Sequence, residues 1–444
     1  MKKKRILVQE IHIMTRFFYT FIFALFVIFS AHAEDCTNGR YLKPVFEKVD
    51  VTKNIKYARK KQSDGAYIEL KYDIYQPQGD TMAERPVMLL IHGGAYLKLL
   101  DQNSPDIVLL CNYFAQRGYV TVSIDYRQEP NLLGLLSEET MVKAVARALI
   151  DTKDAVDHMM LTYQNGNPYR IDTSKAIIGG VSAGAVSTMF IAYLDSLQML
   201  PQRYQNWIIE ATGDSSDYIL RHKFDLVKPK AAISISGAVL DTSWIRNNGI
   251  DLLLIHGSAD EIVPYNYDHP FHLPMLPKLY GAKAQYPVAI REGIRCEFED
   301  WIGRGHVPFF NLDIASILTL NLIDFDVLDS TQRHIAEFCY NIAANCDGRV
   351  TGIRENIMQE KLHIFPNPSS GNFTIQLPKQ VTLGEWNMQL FDLSGRQVFA
   401  RTYDYNTAQI SVNETLPPGM YLLKMNYLSS LENLVYTQKL VITQ

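Results

Sequence analysis

The sequence predicts an α/β protein, a doubly wound, mostly parallel sheet with helices on both faces, followed by a small all-β sandwich. Three observations carry this expectation. Through the first three quarters of the chain, short unbroken apolar runs alternate with helix-spaced stretches, as central parallel strands covered on both faces by helices do. The stretch 67–75 instead alternates residue by residue: Ile68, Leu70, Tyr72 and Ile74 are apolar, with Glu69, Lys71 and Asp73 between them, the period of a half-buried edge or antiparallel strand. After Lys361 the apolar residues fall in short runs separated by Pro-Asn-Pro, Ser-Gly and Pro-Pro-Gly turns, which is the pattern of a sandwich of short strands.

Taken in order, the 444 residues suffice for two or three domains. Residues 1–33 read as a signal peptide: basic residues up to Arg16, an apolar run over 17–29, and Ala31-His32-Ala33 as a small-x-small site cleaved after Ala33. Met14 is an alternative start. The run is shorter than the roughly 18 to 20 apolar residues a membrane span needs, so no transmembrane span is expected in the mature protein. Residues 34–345 form the main domain, with strands expected at 87–91, 119–124, 176–178, 231–235, 252–255 and 294–301. A helix over 140–161 places Val142, Val145, Ala146, Leu149 and Ile150 on one stripe, and 185–197 is a second helical stretch. The segment 195–230 interrupts this rhythm and carries Tyr204, Trp207, Tyr218 and Phe224 among polar residues. It reads either as a lid or as a surface excursion whose aromatics form a satellite core. A helix over 331–344 closes the domain, 346–360 reads as linker, and 361–444 form the sandwich.

Composition excludes several classes. With 47% hydrophobic and 20% charged residues the chain is neither disordered nor a coiled coil. Its net charge is -4, and its only dense basic run is Lys2, Lys3, Lys4 and Arg5, so no nucleic-acid partner is expected. The cysteines 36, 111, 296, 339 and 346 all lie in the exported part, where disulfides persist. Their number is odd, so at least one is free or pairs between molecules. No Cys-x-x-Cys or zinc-site spacing occurs. Asp268, His269 and His272 cluster in a loop broken by Pro270 and Pro274, where no metal is expected, and no cofactor is expected elsewhere.

The chemistry concentrates at strand ends. Gly180-Val181-Ser182-Ala183-Gly184 lies between a strand and a helix, where flanking glycines permit a tight turn that projects a serine hydroxyl above the sheet. Upstream, His92-Gly93-Gly94-Ala95-Tyr96 follows the strand 87–91. Backbone amides of Gly93 and Gly94, with that of Ala183, would form an oxyanion hole. A serine hydroxyl is a poor nucleophile until a base takes its proton, and the base must be oriented by a carboxylate. Asp260, in His256-Gly257-Ser258-Ala259-Asp260, and His306, in Gly303-Arg304-Gly305-His306-Val307-Pro308, follow later strands in the required order, with Glu261 as the alternative acid. His92 and His256 read as loop-shaping residues.

Together with Arg117-Gly118-Tyr119-Val120 and Asp125-Tyr126-Arg127, these motifs resemble the α/β-hydrolase esterases of the carboxylesterase and bacterial acetyl or feruloyl esterase type. The resemblance covers roughly 35–344. It implies attack by Ser182 on an ester carbonyl, an acyl-enzyme, His306 as base and then acid, and Asp260 as its orienter. Small-molecule or glycan esters would be the substrates, including acetyl or feruloyl groups on polysaccharides. The alternatives are a peptidase on the same fold and a non-catalytic cell-surface binding protein. The tail, with Phe365-Pro366-Asn367-Pro368, Gly371-Asn372-Phe373, Leu390-Phe391-Asp392-Leu393-Ser394-Gly395-Arg396 and Leu416-Pro417-Pro418-Gly419-Met420-Tyr421, resembles the C-terminal sorting domain of type IX secretion in Bacteroidota. That implies the type IX machinery as partner, passage through periplasm and outer membrane, and a secreted or surface location. An accessory glycan-binding sandwich is the other reading of the tail.

Overall fold

The computed structural model describes residues 39–131, 133, 137–213, 216–311, 322–344, 362–377, 384–392, 396–405, 409–428 and 433–443. The expected signal peptide, the linker 346–360, Cys36 and Cys346 lie outside them. The chain divides into two compact units, one of Met1–Leu322 and Thr331–Asp347, the other of Ile323–Ser330 and Gly348–Gln444.

In the first unit eight strands form one sheet: β1 (Val49–Lys61), β2 (Tyr67–Pro77), β3 (Arg85–Ile91), β4 (Val120–Ile124), β5 (Ile171–Val181), β6 (Ala231–Ile235), β7 (Asp251–Gly257) and β8 (Cys296–Trp301). They stand in the order β1-β2-β4-β3-β5-β6-β7-β8. β2 is antiparallel to both β1 and β4, and every other pairing is parallel. Every residue of β3, β4 and β6 is buried, which is why these strands read as continuous apolar runs. The alternation of β2 holds only at its start. Asp73, polar in that pattern, is fully buried and accepts the amide of Asn54 at 2.7 Å, where β1 bulges.

The helices are α1 (Pro105–Ala115), α2 (Glu138–Gln164), α3 (Ala183–Tyr193), α4 (Gln202–Thr212), α5 (Ser216–Arg221), α6 (Ala282–Arg291) and α7 (Phe325–Ala344). α2 begins earlier than its apolar stripe suggests because Ser137 caps it, its side chain accepting from the Thr140 amide, and Glu138 and Glu139 occupy the positive end of the helix dipole. The segment 195–230 is largely helical, with α4 and α5 after a short turn of 3-10 helix at Leu197–Met199. Among the described residues, no helix is long and apolar enough to cross a membrane.

The second unit holds β9 (His363–Phe365), β10 (Asn372–Gln376), β11 (Gly384–Asp392), β12 (Gln397–Tyr405), β13 (Gln409–Asn413), β14 (Gly419–Leu428) and β15 (Asn433–Ile442). They form a three-stranded sheet β9-β10-β13 and a four-stranded sheet β12-β11-β14-β15, antiparallel throughout. Phe373, Ile375, Ile410 and Val412 from one sheet and Trp386, Met388, Leu390, Leu423 and Met425 from the other share a single apolar cluster, so the two sheets are faces of one sandwich.

Candidate active site

Ser182 sits in the turn from β5 into α3 with φ 56° and ψ -119°, a conformation that L-residues adopt only where the surroundings enforce it. The two flanking glycines make room for it. A Cβ on Gly180 would stand 2.3 Å from the carbonyl carbon of Gly184, and one on Gly184 would stand 2.0 Å from the carbonyl oxygen of Ile91. Any larger residue would push backbone against backbone. The Ser182 amide donates to the Ile235 carbonyl at 2.8 Å, tying the turn to β6.

Asp260 and His306 meet Ser182 above the same edge of the parallel sheet, because β5, β7 and β8 all end there. His306 Nε2 lies 2.8 Å from Ser182 Oγ, and His306 Nδ1 lies 2.8 Å from Asp260 Oδ2. The carboxylate accepts two backbone amides on Oδ1, from Ile262 at 2.8 Å and Val263 at 3.0 Å. Burial opposes its charged form, but hydrogen bonds from His256 and His306 outweigh burial and hold it well below the usual carboxylate range. An ionised Asp260 requires the proton of His306 on Nδ1, which leaves Nε2 to accept from the Ser182 hydroxyl. Glu261, the alternative acid, is exposed, whereas Asp260 is buried.

Of the expected oxyanion residues Gly93, Gly94 and Ala183, Gly93 is the one whose distance to the same hydroxyl is fixed. A Cβ on Gly93 would lie 3.8 Å from Ser182 Oγ, so its main chain abuts the serine. Gly94, Ala95 and Tyr96 follow with φ of 104°, 53° and 59°, a curl of left-handed residues held from behind. His92 stacks on Tyr126 with ring centroids 4.4 Å apart, Tyr126 donates its hydroxyl to the Gly93 carbonyl at 2.9 Å, and Tyr96 donates to the Ala183 carbonyl at 2.8 Å.

One residue of the site was not anticipated. His256 is fully buried at the end of β7, and its Nε2 lies 3.0 Å from Asp260 Oδ2 and 3.3 Å from the Val263 carbonyl. Both neighbours are acceptors, so Nε2 carries the proton and the bare Nδ1 has no partner among the described residues. Asp260 thus holds two imidazoles on one oxygen. The four-residue spacing of His256 and Asp260 across the turn after β7 is the only sequence signal of this contact.

Beside Ser182 opens a chamber of ≈ 120 Å³, walled by α2 (Met141, Val145, Leu149), α3 (Val186, Phe190), the segment 194–220 (Leu197, Tyr204, Leu220) and the loop 262–279. The aromatics of that segment are divided: Tyr204 is buried against the chamber and stacks on Trp207. The cysteines 111, 296 and 339 are buried free thiols, and burial pushes that of Cys296 up to about 12. Asp268 pairs with His272 at 3.0 Å on the surface, while His269 Nδ1 turns to the Leu276 carbonyl.

Comparison with known proteins adds two domain matches. Residues 72–219 match BD-FAE, an esterase/hydrolase domain, and residues 363–443 match the Secretion system C-terminal sorting domain. Non-reducing polyketide synthases ascC of Acremonium egyptiacum and nvfA of Aspergillus novofumigatus are 29% and 33% identical to it over 136 and 147 residues, 30% and 32% of this chain. The chain spans only 6% of the length of each. Among solved structures, esterase 2 of Thermogutta terrifontis, phosphorylated by paraoxon, is 20% identical, with a TM-score of 0.43 over 66% of this chain and 94% of that one. A truncated carbohydrate esterase from gut microbiota is 15% identical, with a TM-score of 0.40 over 67% of this chain and 97% of that one. The chain thus carries one stretch similar to an esterase/hydrolase domain and a tail similar to a secretion sorting domain.

Proposed function

We propose that the protein hydrolyses carboxylic esters through an acyl-enzyme on Ser182, with esters borne by polysaccharides as the substrate class suggested by the sequence resemblance. The observation that carries the reading is the unbroken chain Ser182 Oγ, His306 Nε2, His306 Nδ1, Asp260 Oδ2, with 2.8 Å at each contact between side chains. In this reading His306 takes the serine proton as Oγ attacks the carbonyl carbon, and Asp260 stabilises the imidazolium. The carbonyl oxygen gathers negative charge and turns toward the amides of Gly93, Gly94 and Ala183, whose fixed positions cost no reorganisation. His306 then protonates the departing alcohol. In the second half water, deprotonated by His306, attacks the acyl-enzyme and releases the acid.

The test is hydrolysis of p-nitrophenyl acetate and butyrate by the purified mature protein beside Ser182→Ala. The variant is expected to lose on the order of 10⁶ in kcat. Equal rates for the two proteins would remove the assignment.

A further inference from the structure

The chamber beside Ser182 has a chemical character that bears on the acyl group. Among the described residues that line it, none is charged and none carries a side-chain amide or imidazole. Its hydroxyls come from Tyr96, Ser182, Tyr204 and Ser216. Three of these are engaged: Tyr96 with the Ala183 carbonyl, Ser182 with His306 and Tyr204 with Glu138. Ser216, 1% exposed, has no partner among the described residues and gives the chamber one open polar point. The remaining side chains offer aliphatic or aromatic carbon and the thioether of Met141. A polyol placed here would lose its water without regaining hydrogen bonds, at a cost no apolar contact offsets.

The side of the scissile bond is fixed by the base. His306 must protonate the leaving alcohol, so the alcohol lies on the His306 side of the Ser182 oxygen. The chamber is lined by Ser182 and Ala183 but not by His306. It therefore lies on the acyl side. Its ≈ 120 Å³ is close to the ~150 Å³ apolar cavity known to hold benzene, and acetyl would leave most of it unfilled.

Resting on the esterase reading, we propose that this chamber binds an apolar acyl group of about six to nine carbons, straight or aromatic, in preference to acetyl. The wall between α2 and the segment 194–220 sets the length it accepts. Each methylene taken from water into such a wall multiplies transition-state binding by ~4-fold, so four of them separate acetyl from hexanoyl by on the order of 10² in kcat/KM.

The experiment compares p-nitrophenyl acetate, hexanoate, decanoate and 3-phenylpropanoate with the full mature protein, the leaving group being constant. Hexanoate or 3-phenylpropanoate should exceed acetate in kcat/KM by at least tenfold, and the ratio of those two tells a straight occupant from an aromatic one. Val145→Phe, which narrows the chamber, should lower the hexanoate to acetate ratio. Leu197→Ala, which lengthens it, should raise the decanoate to hexanoate ratio, with thermal melts reporting that both variants fold. A wild type that prefers acetate, or ratios unmoved in both folded variants, overturns the acyl assignment while leaving the esterase reading intact. Rates no faster than Ser182→Ala on every ester overturn the esterase reading itself.

Discussion

Asp260 is the most heavily bonded residue of the site, taking two backbone amides on one oxygen and two imidazoles on the other. Asp260→Asn would present an amide N–H or a weaker acceptor to His306 Nδ1, favouring the wrong tautomer for accepting the serine proton. We expect a loss of about 10⁴ in kcat with the fold retained, measured by ester hydrolysis and circular dichroism. An activity within tenfold of wild type would show that Asp260 does not orient the base. The grouping of Ser182, Asp260 and His306 could be expected because each follows a strand end, Ser182 and His306 beside glycines, in the Ser, Asp, His order that suits this fold. His256 was not, since a histidine four residues before an aspartate is ordinary turn sequence, and only the fold reveals that both face the same buried pocket. Tyr96 and Tyr126 were equally silent. Their hydroxyls act on the Ala183 and Gly93 carbonyls from residues 87 and 33 positions away, a relation that no local pattern records.

The elements behind the site are joined by charges that the apolar pattern does not show. Arg127, in the loop after β4 that carries Tyr126, grips Asp151 of α2 with Nε at 2.8 Å from Oδ2 and Nη2 at 2.8 Å from Oδ1, and the carboxylate is fully buried. Arg127→Met would strand that carboxylate, so we expect about 3–5 kcal/mol less stability in urea unfolding at neutral pH. A change below 1 kcal/mol would mean that Asp151 finds water or protonates without cost. A second link joins α7 to β8, the strand that leads to His306. His334 lies 2.9 Å from Glu297 and 3.2 Å from Glu299. Burial opposes its charge, but the two carboxylates outweigh burial and raise its pKa to about 9. A raised folded pKa adds stability that is whole below the ordinary histidine range and fades as pH climbs through 9. The melting temperature of the wild type should therefore exceed that of His334→Gln at pH 6 and converge with it near pH 10, and a gap constant with pH would refute the link. Strands β3, β4 and β6 were readable from composition because burial on both faces leaves mostly apolar residues, with Arg85, Thr121, Ser123 and Ser234 the buried polar exceptions. β1 was not, because most of its residues are exposed or half-exposed and Lys53, Lys56, Arg59, Lys60 and Lys61 hide its pairing with β2.

At the scale of the whole molecule, the two units have separate apolar cores, and Ser182, Asp260 and His306 all belong to the first. The match to a secretion sorting domain, residues 363–443, covers all seven described strands of the second unit. The two should therefore be separable in function. Deleting residues 361–444 in a host with type IX secretion is expected to leave ester hydrolysis per molecule within about twofold of wild type, since no core residue of the hydrolase unit is lost. The truncated protein should remain inside the cell, where fractionation and immunoblotting would find it in the periplasm. Fusing residues 361–444 to a periplasmic reporter should send that reporter outward. Export of the truncated enzyme, or a fused reporter that stays in the periplasm, would show that the sandwich serves another purpose, such as holding the enzyme on a glycan. That alternative makes its own mark: the isolated hydrolase would then work as well as the full chain on soluble esters but fall behind it on insoluble polysaccharide.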